Sequence, residues 1–434
     1  MAVLLISITL STGAVVAGGL AVLFVLLSLL AGVIGPMPRY SISSPSNLPR
    51  NDSEPFLNVL ESLTDAKVSK IDDLEVLTNG PYFYPTALDA MRSAQLSICL
   101  EAYVFKRGEI GSLYLDVMTE RAKAGIEVNL VLDGFGSWGM TKTSLKSLID
   151  AGGRAEWYNK VRWYSLSRMD HRTHRELLIV DGRIGFIGGA GVADQWWKGE
   201  GKNPRWRDTL VRIEGEAVRN LLATFAENWL TSHGELLAGR RYFPDIHCDH
   251  KTVAIVVNST PTPGGSTRAR VLFQMLLASA ERTISITTPY FLPDKGLVQE
   301  LCRAVERGVQ LRILVPGRKS DHLVTRSTSR GGYGPLLRAG AEVFEYQPSM
   351  IHAKVLVVDG SWAVVGSTNF DNRSFGINDE VNLAVRDRDF ADRLQRDMDH
   401  DLTESRRVSL KDWEQRPLTE RATEVLGWVF ERQQ

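Results

Sequence analysis

The hydrophobic positions of the chain follow two alternating periods, which predict strands and helices in turn. Stretches such as VNLVLD (residues 128–133) and KVLVVD (residues 354–359) are nearly continuous apolar runs, as expected of strands with helices on both sheet faces. Amphipathic stretches of helical period lie between such runs. Asp-Gly turns at residues 181–182 and 359–360 predict β-hairpins, so the sheets are expected to be mixed. The pattern therefore predicts an α/β protein.

The same series of elements occurs twice. Residues 97–189 and residues 283–369 each contain an apolar strand, an amphipathic helix, a second strand and a hairpin led by a histidine, His174 or His352. We therefore predict two tandem domains, each a mixed β-sheet flanked by helices. The predicted divisions are a transmembrane segment at residues 1–38, a polar lead-in at 39–80, a first domain at 81–245, and a second domain with a closing helix at 246–434.

The predicted transmembrane segment carries no charged side chain. Its most apolar part, residues 14–34, is long enough for one membrane-spanning helix. A secretory signal peptide is the alternative, but nothing basic precedes the apolar stretch, and the stretch exceeds a usual signal core. The first basic residues, Arg39 and Arg50, follow it. This favours a single-pass protein of the cell membrane with the bulk of the chain in the cytoplasm.

Composition narrows the possible functions. The 434 residues are 44% hydrophobic, which excludes a disordered or fibrous chain. Because 51 basic side chains balance 51 acidic ones, the chain lacks the basic field of a nucleic-acid-binding protein. The three cysteines have no paired spacing, so no disulfide framework is predicted. The sequence makes no prediction about the oligomeric state.

The second copy carries the motif with the clearest chemistry. His352 and Lys354 lie on one face of a strand, Asp359 falls at the following turn, and Ser367 and Asn369 end the next strand. A histidine beside a lysine, an amide and a hydroxyl predicts a phosphate pocket, because lysine neutralises the phosphate and histidine can attack phosphorus or transfer a proton. Further along, Glu380 is a candidate to orient the imidazole of the other copy.

The first copy departs from this motif at two positions. His174 and Asp181 match, but Glu176 stands where lysine is expected and Gly191 stands where asparagine is expected. A carboxylate in place of an ammonium would reverse the charge that faces a phosphodiester. Arg172 and Arg175 flank His174, and Glu176 could pair with one of them or with a cationic group on a substrate, so Glu176 and Arg175 are also candidates for binding substrate. Later in this copy, Asp208 is the counterpart of the second copy's acidic residue.

The paired motifs resemble those of the phospholipase D superfamily, and the long stretch HAKVLVVDGSWAVVGSTNFDNRSFGINDEVNL (residues 352–383) is most similar to bacterial cardiolipin synthases. The resemblance implies one active site between the two copies and no metal or cofactor. It also implies that His174 attacks the phosphodiester, that His352 serves as acid and base, and that Asp208 and Glu380 orient them. The implied partners are a phospholipid substrate, with phosphatidylglycerol favoured, and the membrane.

Three functions are compatible with these residues. The first is a membrane-anchored phosphatidyltransferase of cardiolipin synthase type, which moves a phosphatidyl group between phospholipid and alcohol through a phosphohistidine. The second is a phospholipase D that uses water as acceptor, and the third is a non-catalytic lipid-binding member, motivated by Glu176 and Gly191. Arg318 and Lys319 are further candidates for binding lipid phosphates, although exposed charge runs are usually solvated.

Overall fold

A computed structural model describes residues 16–20, 23–24, 40–43, 47–160, 171–201, 203–249, 252–261, 267–321, 323–417 and 421. Its strands are β1 (Val68–Thr78), β2 (Ser97–Ala102), β3 (Glu127–Asp133), β4 (Arg154–Tyr158), β5 (Leu177–Val180), β6 (Ile184–Gly188), β7 (Thr209–Gly215), β8 (Thr252–Ser259), β9 (Thr283–Thr287), β10 (Phe291–Leu292), β11 (Gln310–Pro316), β12 (Glu342–Tyr346), β13 (Val355–Val358), β14 (Trp362–Gly366), β15 (Phe370–Asp371), β16 (Glu380–Arg386) and β17 (Ser405–Val408).

Helices lie between most of these strands. They are α1 (Glu54–Thr64), α2 (Gly80–Ser93), α3 (Glu109–Lys123), α4 (Lys146–Asp150), α5 (Asp194–Trp197), α6 (Ala217–His233), α7 (Arg268–Ser279), α8 (Lys295–Glu306), α9 (Leu323–Gly331), α10 (Tyr333–Ala339), α11 (Asn372–Gly376), α12 (Arg388–Thr403) and α13 (Leu410–Glu414). The predicted α/β class, with a mixed sheet, is confirmed.

The strand order is the same in both halves of the chain. Outward from the centre, the first half runs β1-β7-β6-β5-β2-β3-β4 and the second half runs β8-β16-β14-β13-β9-β11-β12, with β17 added at the outer edge. Within each half, the inner strands pair antiparallel and the outer three pair parallel. The repeated pattern of the sequence thus corresponds to a repeated strand order.

The two halves share one 15-stranded sheet, whereas the sequence predicted a separate sheet for each. The connection is an antiparallel pairing of β1 with β8, in which Val68 faces Ile255. Strand β1 lies in the stretch that was expected to be a polar lead-in. Its sequence, VSKIDDLEVLT, contains many charged residues, and most of its side chains are at least partly exposed. Because this composition is unlike that of a buried strand, the strand was not predicted.

A buried core connects the halves. Strands β6 and β7 contact β14 and β16, and helices α6 and α12 pack beside them. This core contains Val211 and Leu221 from the first half together with Val365 and Leu383 from the second, all fully buried. The halves are therefore fixed to each other by apolar packing as well as by strand pairing.

Both predicted hairpins are confirmed. β5 pairs with β6 and β13 pairs with β14, each across a turn that contains Asp-Gly. Asp181 and Gly182 have φ of 55° and 63°, and Asp359 and Gly360 have φ of 56° and 61°. Aspartate and glycine tolerate this left-handed conformation better than most residues, which explains the dipeptide at both turns.

The predicted transmembrane segment and the end of the predicted closing helix lie largely outside the described residues. Within the described residues, no helix combines the length and hydropathy that a bilayer span requires.

Candidate functional site

The candidate site forms where the segments that lead into β5 and β13 meet those that lead into β16 and β7. Thr173 bridges Asp379, and the His174 N–H donates to the Asp379 carbonyl at 2.9 Å. In the same way, the His352 N–H donates to the carbonyl of Arg207 at 2.7 Å. Each histidine is thus attached by its own backbone to the opposite half of the chain.

The side chains cross between the halves as well. His174 Nδ1 lies 3.1 Å from Glu380 Oε1, and His352 Nδ1 lies 2.9 Å from Asp208 Oδ2. Both carboxylates are fully buried. A carboxylate at Nδ1 fixes the orientation of the imidazole and leaves Nε2 for proton or phosphoryl transfer. The arrangement provides two oriented imidazoles, each dependent on an acid from the other half.

Further hydrogen bonds fix the two acids. Asp208 accepts from Trp196 Nε1 at 2.9 Å and from the Thr209 N–H at 2.8 Å. The Ser367 hydroxyl donates to Glu380, and the Ser367 carbonyl lies 3.0 Å from His174 Nδ1. Burial raises the pKa of Asp208, but its interactions with His352 and Lys354 and the hydrogen bond from the Thr209 N–H together outweigh burial, so the pKa falls. Ser367 therefore helps to position His174, both through Glu380 and through its own carbonyl.

Lys354 lies against His352. Its Nζ is 2.8 Å from His352 Nδ1, 3.1 Å from Nε2, and donates to the His352 carbonyl at 2.9 Å. Burial lowers the pKa of Lys354, although the carboxylates of Asp208 and Glu380 oppose this effect. Burial and the neighbouring Lys354 charge lower the pKa of His352, against the opposing effect of Asp208. Both effects favour the neutral form of the His352 imidazole.

Glu176 lies in the cavity wall and is only 9% exposed. Burial raises its pKa well above 4.5, and this effect exceeds the opposing hydrogen bond from the Val104 N–H and the charge of Lys354. The Val104 N–H reaches Glu176 Oε1 at 3.2 Å. Burial therefore favours the protonated form of this carboxyl. The first half thus lacks the positive charge of the motif, and burial disfavours the negative charge that the sequence suggested in its place.

The second departure from the motif is sterically linked to the first. A Cβ at Gly191 would lie 2.4 Å from the Val104 carbonyl oxygen and 3.0 Å from Glu176 Oε1. Asparagine therefore cannot fit at this position without moving the backbone. Its counterpart Asn369 is 4% exposed at the cavity wall, and its Oδ1 accepts no hydrogen bond from the described residues. Of the two equivalent motif positions, only that of the second half carries an amide, and this amide lies at the cavity wall.

A cavity of about 520 Å³ opens over the two imidazoles. Its wall combines aromatic and charged side chains, among them Tyr103, Lys106, Arg172, His174, Glu176, Trp196, Glu200, Trp206, Tyr290, Asp321, His352, Asn369, Asp371 and Arg373. The Tyr103 ring lies 5.1 Å from the ring of His174, and the Trp196 ring lies 5.3 Å from that of His352. Each imidazole thus has an aromatic neighbour in the wall.

The two motif aspartates lie away from this cavity. Asp359 follows β13, about 16 Å along the chain from Lys354 at the usual strand rise. It accepts from the N–H groups of Arg282 at 2.7 Å and Thr283 at 2.9 Å. Asp181 binds the N–H groups before β2 in the same way. The sequence assigned both to catalysis because they belong to the motif, but they organise the turn at the far end of each strand.

Three basic residues that the sequence proposed for substrate binding do not line the cavity. Arg175 follows His174 on the opposite strand face, where it is fully buried and bonds to Glu227 Oε2 at 2.9 Å on α6. Arg318 and Lys319 are exposed and do not line the cavity, and Lys319 donates to the Pro348 carbonyl at 2.8 Å. The alternation of side chains along a strand already separates Arg175 from its neighbours.

Sequence reasoning named Arg172 only as a possible partner of Glu176, and it did not select Asp371 or Arg373. Arg172 lines the cavity and is buried, with its Nη1 3.6 Å from Asp133, a carboxylate at the end of β3. Asp371 and Arg373 lie two and four residues after Asn369, and burial raises the pKa of Asp371 to about 6. Their position after a motif strand was the available signal, since loops at strand ends often contribute to sites.

Known proteins are similar to this chain in sequence. Residues 273–402 match the family model described as cardiolipin synthase, PLD-like domain. A cardiolipin synthase of Geobacillus sp. (strain WCH70) is 33% identical over 376 residues, which is 86% of this chain and 74% of that protein. The major cardiolipin synthase of Bacillus subtilis (strain 168) is also 33% identical, over 87% of this chain and 78% of that protein.

Among solved structures, the phosphatidylserine synthase of Haemophilus influenzae Rd KW20 is similar in fold, with a TM-score of 0.67 and 14% identity over 87% of this chain and 97% of that one. The resemblance read from the motifs is thus confirmed. The chain belongs to the cardiolipin synthase family of phospholipase D superfamily enzymes.

Proposed function

We propose that the protein is a membrane-anchored phosphatidyltransferase that joins two phosphatidylglycerol molecules into cardiolipin and releases glycerol. The observation that carries the proposal is the crossed pair of imidazoles, each oriented by a buried carboxylate of the other half, over one cavity. Its volume of about 520 Å³ is in the range of small-molecule sites. Such a cavity accommodates phospholipid headgroups, while the acyl chains remain outside it in the bilayer.

The proposed reaction has two displacements at phosphorus. One imidazole forms a P–N bond as the P–O bond to glycerol breaks, and the second imidazole, protonated, gives its proton to the departing oxygen. The incoming alcohol then loses its proton to this second imidazole and attacks phosphorus, and the P–N bond breaks. Lys354 and the amide of Asn369 stabilise the phosphoryl oxygens, and the neutral carboxyl of Glu176 donates a hydrogen bond to them.

One feature favours His352 as the attacking residue, whereas the resemblance alone implied His174. Burial and the adjacent Lys354 ammonium lower the pKa of His352 and so favour the neutral imidazole, which is the form that attacks phosphorus. Rapid alkaline quenching with phosphate-labelled phosphatidylglycerol, followed by peptide mapping, tests this assignment. Label on the peptide that contains His352 supports it, and label on the His174 peptide restores the order implied by the resemblance.

Product analysis tests the reaction itself. The full-length protein in phosphatidylglycerol vesicles should form cardiolipin and free glycerol, measured by mass spectrometry. Phosphatidic acid without cardiolipin would indicate the hydrolase, and absence of turnover would indicate the lipid-binding alternative. His174→Ala and His352→Ala provide the matched controls, because each removes one imidazole and should abolish product formation. Either variant with full activity would contradict the shared site.

A further inference from the structure

The loop that follows β3, residues 134–145, carries two exposed aromatic side chains and contacts Tyr103 of the cavity wall. We propose that this segment, the docking loop, inserts Phe135 and Trp138 into the interface of an anionic bilayer and so brings the cavity to its lipid substrate. The identity of the partner surface rests on the proposed function, because only a lipid-using enzyme needs this contact.

The two aromatic side chains are open to solvent. Phe135 is 58% exposed and Trp138 is 73% exposed, the highest exposure among the large apolar side chains described. Single exposed apolar residues are common on protein surfaces. Two exposed aromatic residues three positions apart, in a loop that contacts the cavity wall, are less so, and Trp is a side chain that membrane interfaces favour.

The docking loop is held firmly despite this exposure. Met140 is 4% exposed and belongs to the apolar core of the first half. The Ser137 hydroxyl donates to the Tyr103 carbonyl at 2.8 Å and accepts from the Phe105 N–H at 2.9 Å. Asp133 accepts from the Phe135 N–H at 2.8 Å. Buried and exposed side chains therefore alternate along a fixed backbone, so the aromatic pair is presented outward in a defined position.

The docking loop also borders the catalytic centre. A Cβ at Gly136 would lie 2.7 Å from the ring of Tyr103, the aromatic residue next to His174. Membrane contact at Phe135 and Trp138 would therefore bring the bilayer to the cavity mouth. A cavity that takes headgroups and leaves acyl chains outside requires this proximity.

Basic residues lie on the docking loop or in contact with it. Arg107 Nε donates to Ser144 Oγ of the docking loop at 3.1 Å, and Lys142 is an exposed residue of the loop. The Cα of exposed Lys160 lies 2.6 Å from the position of a Cβ at Gly134. Each basic residue close to an anionic membrane surface adds attraction. The whole chain has no net charge, so attraction to anionic headgroups depends on local clusters of basic residues. These three residues provide such a cluster at the docking loop.

A depth measurement on the full-length protein tests the proposal without catalysis. In a Cys248→Ser/Cys302→Ser background, Trp138→Cys takes an environment-sensitive fluorophore, and the protein is reconstituted in phosphatidylglycerol-containing vesicles. We expect quenching by acyl-brominated lipid and little quenching by aqueous iodide. Leu236→Cys is the matched control, since Leu236 is 67% exposed and follows Glu235, which pairs with Arg154 at the opposite end of the sheet. The control label should respond to iodide and not to brominated lipid.

A charge test and a turnover test complete the experiment. Arg107→Gln and Lys142→Gln should each reduce the ratio of docked to undocked label about fivefold in anionic vesicles. Phe135→Ser/Trp138→Ser should lower turnover in vesicles severalfold and leave turnover in detergent micelles nearly unchanged. Equal iodide quenching at positions 138 and 236 overturns the docking proposal even if cardiolipin forms. Lipid quenching without turnover upholds docking and contradicts the proposed reaction.

Discussion

Replacing Glu176 by glutamine should make the protein more stable, and increasingly so as the pH rises. Burial raises the pKa of this carboxyl well above 4.5, so the folded protein keeps the proton while the unfolded chain loses it. Stability falls with pH wherever the folded state binds more protons, by about 1.4 kcal/mol per pH unit for one proton. The native protein therefore loses stability from pH 4.5 up to the folded pKa of Glu176.

Glutamine has nearly the same shape as glutamate and cannot ionise, so the Glu176→Gln variant lacks this pH-dependent loss of stability. The amide oxygen still accepts the hydrogen bond from the Val104 N–H, which spans 3.2 Å in the native protein. The difference in unfolding free energy between Glu176→Gln and the native protein should thus grow by about 1.4 kcal/mol per pH unit through this window.

Denaturant unfolding in detergent micelles, repeated from pH 5 to pH 8, measures the difference. Glu109→Gln is a suitable control, because Glu109 is exposed and its hydrogen bond with Lys198 lowers its pKa, so any dependence has the opposite sign. Parallel stability curves for Glu176→Gln and the native protein would refute the neutral carboxyl. The turnover of Glu176→Gln should also persist at alkaline pH, where the native protein gains a negative charge beside the substrate phosphate.

Four further substitutions separate catalytic from structural roles. Glu176→Lys should lower turnover at least tenfold, because it buries a second ammonium near Lys354, and a gain in turnover would indicate that the first motif had merely decayed. Glu380→Gln should lower kcat on the order of 10³-fold with little change in KM, measured by steady-state kinetics on vesicles. Gly191→Asn should destabilise the protein by about 1–3 kcal/mol in thermal unfolding, since its Cβ would lie 2.4 Å from a backbone oxygen. Asp359→Ala should lower the unfolding free energy by about 2–4 kcal/mol and leave kcat per folded molecule unchanged, and a lost kcat would return Asp359 to the site.

Much of the fold could be read from local patterns. Apolar strand runs, amphipathic stretches and the Asp-Gly dipeptides predict elements through interactions between near neighbours, and the hairpins at Asp181 and Asp359 appear as predicted. Strand β1 escaped prediction because its partner β8 lies far along the chain and its exposed charges resemble a linker. Pairing of distant strands leaves little signal in the local sequence.

In the candidate site, too, the features that depend on nearby residues could be predicted, and those that depend on distant residues could not. The spacing of His352 and Lys354 places both on one strand face, so their proximity could be predicted. The protonation of Glu176 could not, because it depends on how much solvent reaches the carboxyl in the folded protein. The steric reason for Gly191 likewise comes from Val104, which belongs to a different segment of the chain. Motif membership misled the assignment of Asp359, since a shared pattern does not reveal which positions support the fold.

The crossed attachment of imidazoles to carboxylates has a consequence for how the two halves can change over time. The first half lacks the lysine and asparagine of the motif, yet its Asp208 is the residue that orients His352 in the second half. Conversely, His174 depends on Glu380. Loss of either acid would impair the histidine of the opposite half. Substitutions at Asp208 or Glu380 are therefore expected to be selected against for as long as turnover is required. The duplication therefore behaves as one inseparable catalytic unit, and an isolated half would carry an imidazole without its acid.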